Sequence, residues 1–117
     1  MAYYKNIETD TLKNKYYRKV VATTQQQQLV LMSLEPGETI PSEIHSSTTQ
    51  FFRIESGTGT ALVANKRYKL KPNIALIVPP GTKHEIKQTG KDPLKLYTIY
   101  SPPEHPKNRK QLRQILD

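Results

Sequence analysis

The sequence has no cysteine, no tryptophan and only five glycines. Without cysteine there is no disulfide, no thiolate metal site and no cysteine nucleophile, so any strong metal donor must be nitrogen or oxygen. Long apolar runs are also missing. The longest, Ile74–Val78 (IALIV), is strand-sized and far short of the roughly 20 residues a membrane helix needs. The opening segment, MAYYKNIETD, has no apolar signal core, so a cytoplasmic protein without a membrane partner is expected. There is neither a glycine-rich nucleotide loop nor a serine nucleophile motif, and those two chemistries have no support.

Acidic residues are the remaining scarcity: 10 Asp+Glu stand against 18 Lys+Arg, a formal charge of +8. Such an excess suggests nucleic acid or an anionic molecule as partner, depending on where the charge sits. It sits at the periphery. Lys5, Lys13, Lys15, Arg18 and Lys19 lie near the start, Lys107, Arg109, Lys110 and Arg113 near the end, and Lys66, Arg67, Lys69 and Lys71 between them. Lys69 and Lys71 alternate with apolar neighbours, as on the solvent face of an edge strand, where lysine discourages edge-to-edge pairing. Only Tyr3, Tyr4, Tyr16, Tyr17 and Tyr68 interleave aromatic rings with these charges, and none falls in a nucleic-acid motif. A solvated basic surface with general attraction for anions is expected, and not a nucleic-acid binder.

What is present is a rhythm of short strands. With 117 residues there is room for one domain and not for two cores. Strand-like runs cover Leu29–Leu34, Phe51–Glu55, Ala61–Ala64, Arg67–Leu70, Ile74–Val78, His84–Lys87 and Leu94–Tyr100. Turn signals separate them, among them Glu35-Pro36-Gly37, Pro79-Pro80-Gly81 and a hairpin tip at Asn65-Lys66. This spacing predicts an all-β sandwich or barrel. Thr24–Gln28, with its four glutamines, reads as an exposed connector. Residues 1–101, N-terminal strands included, form the predicted domain. The basic tail, 102–117, has Leu112, Ile115 and Leu116 at helical spacing, which predicts a short helix docked on the body or on a second copy in a homodimer.

Three histidines occur: His45, His84 and His105. Glu43 and His45 are two apart, so on a strand they share a face, and Gln50 follows across a stretch that can turn back. His84 follows the Pro79-Pro80-Gly81 corner at the start of a strand. His105, in a proline-rich segment without a partner at ligand spacing, reads as a solvated surface residue.

These segments resemble the motifs of the cupins, small double-stranded β-helix (jelly-roll) barrels. The first family motif, G-x5-H-x-H-x3-4-E-x6-G, falls on Gly37, Glu43, His45, Gln50 and Gly57. The second, G-x5-P-x-G-x2-H-x3-N, falls on Asn73, Pro79, Gly81, His84 and Gln88. Glu43 stands where the family usually has its first metal histidine, and Gln50 where it usually has glutamate. The resemblance implies a divalent metal (Mn, Fe, Zn or Ni) held by Glu43, His45, Gln50 and His84, the carboxylate having moved without being lost. In some small cupins that isomerise unsaturated uronates the fourth ligand is also glutamine. Isomerase-type chemistry on a small, oxygen-rich, sugar-acid-like molecule is therefore the leading expectation. Two histidines and a carboxylate are also the donor type of non-haem iron dioxygenases, and a non-catalytic ligand-binding or sensor domain is the third reading. In a metal-free cupin, Glu43 and His84 are the candidate acid and base. Phe52, Ile54 and Tyr97 are expected to line the pocket, with Arg53 facing outward.

Overall fold

The computed structural model describes residues 2–114. The chain opens with a helix, α1 (Ile7–Lys13), and continues through β1 (Arg18–Thr23), β2 (Gln28–Leu34), β3 (Thr39–Glu43), β4 (Thr49–Ser56) and β5 (Thr58–Val63). It ends through β6 (Lys66–Leu70), β7 (Ala75–Val78), β8 (His84–Thr89), β9 (Leu94–Ser101) and β10 (Lys110–Gln111). Two antiparallel sheets face each other, one in the order β10-β1-β2-β9-β4-β7 and the other β3-β8-β5-β6. This is the expected all-β jelly-roll barrel.

Alternation explains the packing. Along β4 every second residue is buried, so Gln50, Phe52 and Ile54 point inward while Arg53 points outward. In β9 the inward set is Leu94, Leu96, Thr98 and Tyr100. These side chains meet Val30, Met32 and Leu34 of β2 and Ala61, Leu70 and Ile86 of the second sheet in one continuous core. Tyr17 enters this core fully buried and donates its hydroxyl to the Thr39 carbonyl at 2.6 Å. That burial pushes its phenol up to about 12, so Tyr17 remains a donor.

The corners follow from local chemistry. The β5–β6 hairpin turns on Ala64 and Asn65, whose φ values of 49° and 68° are those of a two-residue turn matched to strand twist. The tip thus lies one residue earlier than Asn65-Lys66. Gly57 turns with φ 83°, and a Cβ there would collide with the Pro93 carbonyl oxygen, which excludes any other residue.

Two expectations are corrected. The helix predicted within Lys107–Leu116 does not form among the described residues. Asn108 takes φ 65°, and Lys110–Gln111 pair as β10 with Lys19 and Arg18 of β1. The open edge of β1 offers backbone partners that override a marginal helical preference. Ile115 and Leu116 lie outside the described residues. The one helix among the described residues, α1, is at the other end, where Asn6 caps it by accepting a hydrogen bond from the Thr9 amide. The second correction concerns Gln28. It is no exposed connector but the fully buried first residue of β2, and its side-chain amide holds the segment that follows β9.

Candidate metal centre

Four elements converge at one end of the barrel. β3 delivers Glu43 through an irregularity: Ile40 pairs with Ile86 and Glu43 with His84, leaving one extra residue on β3. Pro41 lies in this bulge and has no N–H to give to the ladder, so the local sequence favours the break. The bulge places Glu43 directly across from His84. His45, just beyond β3, is anchored by its carbonyl, which accepts the Gly81 amide at 2.8 Å. Gly81 itself turns with φ 75°, the corner that brings His84 to the start of β8.

The donor atoms face one another. One ligand atom each from Glu43, His45 and His84 lies within 4.8 Å of the other two. Glu43 Oε1 is 3.0 Å from His45 Nε2 and 3.6 Å from His84 Nε2. The first pair is not aligned as a hydrogen bond, and both of its atoms are buried without a hydrogen-bond partner. Two orphaned buried polar atoms cost free energy unless something bridges them. His84 Nδ1 lies 3.0 Å from the Thr82 carbonyl, which leaves Nε2 as the nitrogen facing the centre. An outer-shell carbonyl on one ring nitrogen is the usual way proteins orient a metal-binding imidazole. Gln50, fully buried, has its amide oxygen 3.1 Å from His84 Nε2 and donates from Nε2 to Thr98 Oγ1 at 3.0 Å. The set of one carboxylate, two imidazoles and one amide oxygen fits a divalent metal of borderline hardness.

Electrostatics couple these groups. Burial alone pushes the Glu43 carboxyl up, but the neighbouring imidazoles of His84 and His45 outweigh it, and the net direction is down. His84 is lowered by burial and raised more strongly by Glu43 and the Thr82 carbonyl, so its net direction is up. Without a metal, Glu43 and His84 each shift the other toward its charged form.

Of the expected pocket residues, Phe52 sets its ring edge-on to His84, centroids 6.2 Å apart, and Ile54 is buried core further along β4. Tyr97 is not in the site. It lies on the outer face of β9 beside Phe51, because Thr98 and Tyr100 occupy the inward phase of that strand. The tyrosine at the centre is Tyr100, edge-on to His45 at 5.8 Å.

A strap crosses this end of the barrel, and sequence reasoning missed it. Gln28 Oε1 accepts from the amides of Glu104 (3.2 Å) and His105 (2.9 Å), and Gln28 Nε2 donates to the His105 carbonyl at 2.7 Å. So held, Glu104 places Oε1 3.4 Å from His45 Nδ1 and accepts from Thr48 Oγ1 at 3.1 Å. His105 is half-buried and not solvated as expected. Its ring sits edge-on to Tyr100 at 5.1 Å, with Nε2 3.3 Å from the phenol oxygen. Burial, together with Arg18 and Arg109, pushes His105 down to about 4, which keeps it neutral at pH 7. No short-range signal in the sequence marks Glu104, since its partners lie 56 and 59 residues earlier at Thr48 and His45.

The comparisons agree with this fold. The chain is 45% identical over 116 residues to the uncharacterized protein L612 of Acanthamoeba polyphaga mimivirus, across 96% of this chain and 72% of that protein. It is 41% identical over 107 residues to the uncharacterized protein YrkC of Bacillus subtilis, across 86% of this chain but only 58% of YrkC. The crystal structure of BH2720 from Bacillus halodurans superposes with a TM-score of 0.94 at 34% identity, covering 97% of this chain and 90% of the other. With residues 30–100 matching the family described as the cupin domain, this chain belongs to the cupins.

Proposed function

We propose that this cupin binds one divalent metal ion, of the Mn, Fe, Zn or Ni kind, through Glu43, His45 and His84, with Gln50 as a weak oxygen donor, and acts on a small oxygen-rich molecule such as a sugar acid. The observation that carries the reading is the pair of buried, unpartnered atoms, Glu43 Oε1 and His45 Nε2, both facing His84 Nε2. When bound, the metal would supply Lewis-acid polarisation of a carbonyl or enediol oxygen. The chain's own residues do the rest. In metal-free protein Glu43, whose side chain is 31% exposed, can take or return a proton at its carboxylate. Tyr100, its phenol pushed up by burial, stays protonated and can donate a hydrogen bond. Phe52 gives the centre an apolar wall. The whole supports isomerisation by proton transfer.

Elemental analysis of protein purified without added metal tests the reading. Wild type is expected to carry about one equivalent, and His84→Ala to lose it; a metal-free wild type that also takes up none on titration overturns the metal site. The two-histidine, one-carboxylate donor set favours one second reading, an iron-dependent dioxygenase. Oxygen consumption by iron-loaded protein with a phenolic panel would support it, and turnover of sugar acids without oxygen uptake would remove it. No turnover on either panel would favour a ligand-binding or sensor role.

A further inference from the structure

A cleft outside the barrel lies between α1 and β1, with a volume of about 640 Å³. That is within the range of small-molecule sites. Lys5, Lys13, Lys15 and Lys19 line it, and Asp10 is its single acid. Among the described residues, none of these four lysines forms an ion pair. The cleft therefore holds a concentrated, uncompensated positive charge, separate from the metal donors.

Its walls are built. Asn14, buried at the end of α1, donates from Nδ2 to the Tyr16 carbonyl at 2.9 Å and accepts the Tyr16 amide on Oδ1 at 3.1 Å. Lys95 Nζ donates to the Asn14 carbonyl at 2.6 Å, tying this turn to β9. At the rim, Lys19 and Lys110 are direct register partners on β1 and β10, and their ammonium groups stand 5.8 Å and 5.0 Å from the centre of the Tyr16 ring. Like charges placed directly opposite on neighbouring strands repel, and an anion between them relieves that repulsion. Val20 and Leu31 add an apolar part to the lining.

We infer that the α1–β1 cleft is a second binding site, independent of the barrel centre, for a small phosphorylated polyol. Several lysines around one concavity suit a multiply charged phosphate, since each ammonium is a compact point charge with three donors on a flexible stem. Asp10 repels the phosphate and accepts from a hydroxyl, which orients the sugar end. The apolar floor takes the carbon frame.

Calorimetric titration of the full chain with glucose 6-phosphate and with inorganic pyrophosphate, at about 0.15 M salt, tests this. At that ionic strength the Debye length is about 8 Å, so diffuse attraction is largely screened. Lys13→Ala/Lys15→Ala/Lys19→Ala is compared with Lys66→Ala/Lys69→Ala/Lys71→Ala, which removes the same three charges on β6 and the residue after it. Expected are saturable binding by wild type, at least tenfold weakening in the cleft variant and little change in the hairpin variant. All substituted positions are surface lysines, and thermal melts confirm folding of each variant. Absence of wild-type binding overturns the inference, as does equal weakening in both variants. Sedimentation with phosphatidylserine vesicles distinguishes a lipid headgroup from a soluble phosphate, and vesicle binding without soluble binding overturns the small-molecule site.

Discussion

Glu43 and His84 depend on each other across the β3–β8 ladder, and their opposite shifts define a pH window. Glu43, held below its ordinary 4.5, stabilises the fold fully above that value, and this contribution is lost as pH falls through the lowered native pKa. His84, held above its ordinary 6.5, contributes fully below 6.5, and this is lost as pH rises through the raised native pKa. Both act in full between 4.5 and 6.5. His105, held down to about 4 against an ordinary 6.5, costs stability as pH falls below 6.5, so the pair is read by difference. The melting-temperature gap between metal-free wild type and Glu43→Gln in chelator is expected to be widest between 4.5 and 6.5 and to narrow as pH rises; a gap that does not vary with pH would remove the coupling. At this scale much was legible. The spacing from Gly37 to Gly57 and from Asn73 to His84 singled out the four side chains that the fold gathers. The alternation of Leu94–Tyr100 does not by itself say which face turns inward, so it leaves Tyr97 a candidate for the pocket. Only the pairing of Thr98 with Gln50 sets the phase that turns Tyr100 inward instead.

Among the elements, the strap after β9 has the least local support and the most specific anchor. A single buried amide, Gln28, makes three hydrogen bonds to the backbone of Glu104 and His105. Gln28→Leu keeps the bulk but leaves those backbone groups without partners, and a loss of about 2–4 kcal/mol in urea unfolding is expected. Faster proteolysis between Pro102 and Pro106 should accompany it, and metal affinity should weaken because Glu104 no longer steadies His45. Equal protease resistance would show that the strap is held some other way. Sequence reasoning took Thr24–Gln28 as one polar unit, since burial of one glutamine among four depends on contacts some 76 residues away. The tail shows the same limit. Residues 107–114 have helix-compatible side chains, yet the vacant β1 edge decides their conformation.

For the whole molecule, the expected homodimer can now be tested without dismantling the fold. Ending the chain at Ser101 would remove β10 and the partners of Gln28 along with the apolar tail, so it would report on folding as much as on association. Leu112 separates the two, because its carbonyl accepts the Tyr17 amide while its side chain is 55% exposed. If the tail carries the interface, Leu112→Glu shifts sedimentation from dimer to monomer with the melting temperature nearly unchanged; a persistent dimer places the interface elsewhere.

The order β10-β1-β2-β9-β4-β7 also has a consequence during synthesis. β2 emerges with Val30, Met32 and Leu34 ready for a core, but its inner neighbour β9 begins at Leu94, some sixty residues later. On a ribosome adding 5–20 residues per second, that strand waits seconds with one backbone edge unpaired. Its other neighbour, β1, can pair at once, yet that hairpin stays two-stranded until β9 arrives and gains its far edge only with β10. Completion of the sheet therefore waits for the last described strand to emerge, and until then unpaired edges leave the nascent chain open to aggregation.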